Sequence, residues 1–155
     1  MVLPKEIFET VVESAPLVSI DLIIRNSSGE LLLGRRLNRP AKGFWFVPGG
    51  RILKNESISA AFKRISGNEL GKLFFISDAR YIGLFEHFYE DSVFGDSTST
   101  HYVVNGFELI IEEDLHLPTV QHVEYVWMSE RELLASDFVH PHCKWYFQPN
   151  KGFRL

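Results

Sequence analysis

The chain has 155 residues, a length that one domain spanning 1–155 with a substantial core accounts for. Its net charge of −4 excludes the broad basic surface of a nucleic-acid binder, and 45% hydrophobic with 23% charged residues is the balance of a soluble globular protein. Thirteen Phe, five Tyr and three Trp supply rings for a core or for stacking, while one cysteine, Cys143, excludes an internal disulfide framework and a cysteine-based zinc site. The N-terminus is acidic early without a long apolar core, and no stretch approaches the roughly twenty apolar residues of a membrane span; a cytoplasmic protein is expected.

In chain order, residues 5–14 place Ile7, Phe8, Val11 and Val12 at helical spacing before Pro16, predicting a short amphipathic helix that covers a sheet edge or reaches a second subunit. LVSIDLIIRN and ELLLGRR are β-rich runs joined across Ser27-Ser28-Gly29, a hairpin signal. Asp21 interrupts the first run, so it faces either water or a polar site. Arg35, Arg36 and Arg39 follow within five positions, and Arg51 lies just beyond the glycines; planar guanidinium groups suit phosphate oxygens, although a solvated basic loop has the same composition.

Phe44 to Val47 is a short apolar run that breaks at Pro48-Gly49-Gly50, and from Ile58 to Gly71 apolar residues recur at helical spacing. The pattern predicts a strand, a glycine loop and a helix, with backbone close enough to serve phosphate or metal. At about 100° per residue, Ala61, Phe62, Ile65 and Glu69 fall on one stripe with Ile58. A carboxylate there, in the last helical turn where the dipole disfavours an anion, is either matched by a cation or frayed into water.

Beyond the helix, RYIGLFEHFYE and TSTHYVVNGFELII read as strands around a polar, pocket-covering loop, DSVFGDSTST. EYVWMS is a final strand after the loop LPTVQHV, and Ser129 with Glu132 forms a capping box for a short helix. The tail from Asp137 is aromatic and aperiodic. Of six histidines, His122 stands out because it lies in a loop beside Gln121, and an imidazole titrates near neutrality. The alternation of strands with one long central and one C-terminal helix fits an α/β fold, a mixed sheet sandwiched between helices.

Gly50, Glu56, Arg64, Glu69 and Gly71 fall at the spacing of the Nudix box, so the chain resembles that hydrolase family, which implies the same α/β/α Nudix fold. The box expects Glu at positions 65 and 68, where this chain has Ile65 and Asn68. LVSIDLI, LLLGRRxNRPAxGFWFVPGGR, EHFYED, THYVVxGF and LPxxQHxxYxW together are similar to the GDP-mannose mannosyl hydrolases, a branch of the family that lacks the same two acids.

That resemblance implies hydrolysis of a GDP-hexose at the anomeric carbon with inversion, giving GDP and free hexose. It implies one Mg²⁺ held by the Gly49 carbonyl and Glu69, with Arg36 stabilising charge on the departing GDP and Arg51 gripping phosphate. His122 would activate water, oriented by Gln121. Asp21, His87 and Tyr102 would surround the sugar and diphosphate, with Asp21 steadying positive character at the anomeric carbon; Arg64 would orient the metal face. A homodimer is implied as well. Two other readings stay open: attack at phosphorus by a conventional Nudix pyrophosphohydrolase, and a silent nucleotide-sugar binding domain. The sequence distinguishes neither mannose from glucose or fucose nor one base from another.

Overall fold

The computed structural model describes residues 2–118 and 122–155, of His122 and Val123 only the backbone. Helix α1 (Lys5–Ser14) leads into β1 (Leu17–Arg25) and β2 (Leu31–Arg36), then β3 (Trp45–Phe46), β4 (Gly49–Arg51) and α2 (Ile58–Leu70). After these come β5 (Arg80–Tyr89), β6 (Thr100–Ile110), β7 (His122–Met128), α3 (Glu130–Ala135) and α4 (Pro141–Lys144). Among the described residues, no helix is long and apolar enough to cross a membrane.

The strands form one mixed sheet in the order β3-β2-β1-β6-β5, with β4 added to β1 and β7 to β2. β1 runs parallel to β6 from Leu17 opposite Tyr102 to Arg25 opposite Ile110, and the other pairings are antiparallel. Both faces of the central strand are buried. Ile20, Leu22 and Ile24 join Phe62 and Ile65 of α2 in one core; Ile23 joins Phe85, Leu133, Cys143 and Tyr146 in the other. The alternation of a strand therefore aims Asp21, two residues from Ile23, into the layer that the C-terminal segment fills. The expected sheet between helices is what forms.

α2 begins at Ser57, whose hydroxyl accepts from Ala60 N–H at 3.1 Å, and stops at Gly71, whose φ of +71° suits a residue without Cβ. Ala61, Phe62, Ile65 and Glu69 are buried as their spacing predicts, whereas Ile58 in the first turn is 47% exposed. α1 rests on β6 and sets Phe8 edge-to-face against Phe94, with ring centroids 5.6 Å apart.

Two expectations need correction. The glycines are not a loop: Gly49, Gly50 and Arg51 pair with Asp21, Ile20 and Ser19 as strand β4. A Cβ on Gly49 would fall 2.6 Å from the Ile20 carbonyl and closer still to the Asp21 carboxylate, so glycine is needed there for close approach to β1. His122 does not lie in a loop but opens β7, opposite Arg36, because the pairing with β2 continues through an irregularity after Gly34.

Candidate active site

A cleft of about 290 Å³ opens where the C-terminal layer leaves the sheet uncovered, beside the glycine strand and the end of α2. Asp21, Arg36, Gly49, Arg51, Glu69, His87 and Tyr102 all line it, drawn from five strands and one helix. Gln121 lies outside the described residues, and so does the side chain of His122. The backbone register alone places residue 122 across from Arg36.

Glu69 and Asp21 are two acids in one cleft, 5% and 8% exposed. Burial pushes the Asp21 carboxyl up to about 7; the Tyr146 hydroxyl bond and the Arg36 charge oppose that rise, and the Glu69 charge adds to it. Two bonds fix which backbone groups of β4 face β1: Leu22 N–H to the Pro48 carbonyl and Ile52 N–H to the Val18 carbonyl, both 2.8 Å. By antiparallel alternation, the main-chain groups of Gly49 and Arg51 face away. The Arg51 carbonyl accordingly accepts from Arg64 Nη2 at 2.8 Å. The buried Glu69 carboxylate and an outward glycine carbonyl are both oxygen donors, a set that fits a hard divalent cation.

Arg64 is a strut rather than a ligand. Its Nε and Nη2 reach both Glu56 oxygens at 2.7 and 2.9 Å, and Glu56 also accepts from Leu53 N–H at 2.9 Å. The pair ties the loop after β4 to α2, fixing the glycine strand against the helix that carries Glu69. Positions 65 and 68 also line the cleft, but Ile65 presents carbon, which packs 3.1 Å from where a Gly50 side chain would begin, and Asn68 is neutral.

The three clustered arginines separate. Arg35 pairs with Glu124 at 2.7 Å, and Arg39 pairs with Asp96 and, at 3.7 Å, with Asp91. Arg36 alone of these lines the cleft, its Nε donating to the Pro40 carbonyl at 2.9 Å. Arg51 lies 4.8 Å over the Phe8 ring, so α1 positions a cleft cation.

His87 is 2% exposed and stacks on His142 at 4.7 Å. Burial, then the neighbouring His142 and His140, push its pKa down to about 3; burial likewise takes His140 and His142 to about 4. Near neutrality these three imidazoles are uncharged hydrogen-bonding groups and weak bases. The Tyr102 hydroxyl is held protonated by burial. Sequence reasoning missed Tyr89, another cleft wall, and Tyr146, whose hydroxyl donates to Asp21 Oδ2. Tyr89 continues the alternation of Phe85 and His87 on β5 and was within reach of that pattern; Tyr146 sits in an aperiodic tail that carries no such signal. Cys143 is fully buried and its thiol is held protonated by burial, consistent with a packing role.

A titration follows from Asp21. A carboxyl with a higher pKa folded than unfolded favours the fold fully below about pH 4 and loses that contribution as pH rises through about 7. In metal-free protein, Asp21→Asn should gain stability relative to the parent by about 4 kcal/mol between pH 4 and pH 8. Denaturant unfolding of both proteins in chelator across this range measures the gain; a constant difference would show that the carboxylate is not held in a low-dielectric site.

Against known proteins, residues 15–148 match the family model described as NUDIX domain. The chain is 42% identical over 120 residues to the low-salt glycan biosynthesis protein Agl8 of Haloferax volcanii, covering 77% of this chain and 75% of that one. Among solved structures, a MutT protein from Methanosarcina mazei superposes with a TM-score of 0.70 at 24% identity, covering 86% of this chain and 92% of that one. The NUDIX domain of Shewanella oneidensis NrtR, solved with ADP ribose, superposes with a TM-score of 0.62 at 15% identity, covering 90% and 92%. These superpositions establish the shared fold.

Proposed function

The chain belongs to the Nudix family, and on that footing we propose that it hydrolyses a GDP-hexose, GDP-mannose or GDP-glucose, at the anomeric carbon with inversion, releasing GDP and free hexose. The observation that carries this is the inner face of α2. Where the box calls for further acids, Ile65 and Asn68 line the cleft, and Glu69 is the helix's acid there. One carboxylate and one carbonyl suit a single Mg²⁺, which prefers to keep water and phosphate oxygens in its shell. Held by Glu69 and Gly49, it would supply charge neutralisation to the diphosphate leaving group.

The protein groups divide the remaining work. Arg36, fixed by Pro40, faces the charge that grows on the departing GDP, and Arg51, braced on Phe8, grips phosphate. Asp21 opposes positive character at the anomeric carbon. His87 and Tyr102 offer uncharged hydrogen bonds to sugar hydroxyls and the diphosphate. His122 removes the proton from the attacking water, oriented by Gln121; the low pKa values of His87, His140 and His142 support a base elsewhere than in that trio.

Similarity to the low-salt glycan biosynthesis protein of Haloferax volcanii supports a place in glycan metabolism. The family resemblance supports a homodimer as the working form. A panel of GDP-sugars and other nucleoside diphosphate sugars, incubated with Mg²⁺ and assayed for free hexose, tests the reading. Equimolar GDP and hexose from a GDP-hexose are expected. Absence of free hexose across the panel would contradict it.

A further inference from the structure

Asp21 presents two oxygens to different surroundings. Oδ1 is turned toward the Gly49 backbone, and Oδ2 accepts from the Tyr146 hydroxyl. Tyr146 is 4% exposed and comes from the C-terminal layer, in the 3-10 turn Trp145–Phe147. Its ring meets the edge of Phe85 at 4.6 Å. It belongs to the packed core by its carbon and reaches a cleft-lining acid, Asp21, by its oxygen.

The turn that carries Tyr146 is closed by one residue near the end of the chain. Arg154 Nη2 lies 2.9 Å from the Trp145 carbonyl and 3.1 Å from those of Tyr146 and Gln148, and its Nε donates to the Lys151 carbonyl at 3.1 Å. The guanidinium also sits 5.2 Å from the Phe85 ring centre. Phe153 exchanges two backbone bonds of 2.8 Å with Leu84, pinning the tail to β5. Gly152, at φ +74°, lies so close to Phe85 that a Cβ would fall 2.9 Å from the ring's Cζ. The last residues thus form a clamp around the turn, with Phe85 as its shared surface.

We infer that Tyr146 is a positioning residue for the reaction, holding the Asp21 carboxylate with Oδ1 toward the cleft, and that Arg154 acts on the reaction through Tyr146. The inference rests on the proposed role of Asp21 at the anomeric carbon. Among the described residues the Tyr146 hydroxyl is the side-chain donor to this carboxylate, whose set orientation is lost when that donor is removed. A hydrogen bond to a charged group contributes about 1.5–3 kcal/mol, so the loss reads as roughly ten- to a hundredfold in rate.

A double-mutant cycle on kcat tests it. Tyr146→Phe keeps the ring and its packing on Phe85, and should lower kcat at least about tenfold with KM within about twofold of the parent. Arg154→Ala should lower kcat in the same direction, and adding it to Tyr146→Phe should cost no further rate beyond about twofold. Arg154→Lys replaces the alanine variant if that one unfolds. Parental kcat in Tyr146→Phe, or losses that multiply in the double variant, would overturn the inference. The cycle is read on whichever product the parent releases, so a parent that yields GMP instead of hexose contradicts the proposed reaction and still leaves the coupling of the two residues measurable.

Discussion

Glu69→Gln should lower kcat on a GDP-hexose by about 10³-fold while the protein stays folded. The effect is large because the substitution removes the carboxylate that α2 supplies to the cleft, and metal stabilisation of a leaving group contributes several kcal/mol. Folding should survive for two reasons. Glutamine fills the same volume, and Glu69 stands in the last helical turn, where the dipole already disfavours its charge. Calorimetric titration of Mg²⁺ in the presence of GDP should show the affinity falling with the rate. A variant that binds the metal like the parent and still turns over would place the ion elsewhere.

His122→Gln should lower kcat by about 10² or more while binding of GDP-mannose with Mg²⁺ stays close to parental, which is the usual span for loss of a general base. Residue 122 stands at the start of β7 opposite Arg36, whose side chain lines the cleft, so the sheet register sets the two positions side by side. Pre-steady-state mixing should show that the chemical step slows and substrate capture does not. Unchanged kcat would remove His122 from the reaction.

How legible the site was depended on periodicity. Glu69 could be read because helical spacing carries its direction: three buried neighbours on its stripe, Ala61, Phe62 and Ile65, predict a fourth. Asp21 could be flagged but not placed, since a strand has two faces and only the C-terminal layer decides which is wet. The clustered arginines could not be sorted by their own spacing, only by the resemblance that singled out Arg36. Their partners Glu124, Asp91 and Asp96 lie far along the chain, and Arg36 is left to the cleft because those acids take Arg35 and Arg39. The glycines were read as a turn because Gly beside Pro normally marks one; they proved to be the place where β4 packs against the Asp21 side of β1. Tyr146 was invisible because nothing local says that a ring in an aperiodic tail crosses the core to meet an acid 125 positions earlier.

The measurement closest to the central claim is turnover of a GDP-hexose in ¹⁸O-water. Attack at the anomeric carbon breaks the bond between that carbon and the diphosphate oxygen, so the label should appear in the released hexose and not in GDP. Label in GMP or in hexose phosphate would mean that water attacks phosphorus, and would contradict the account.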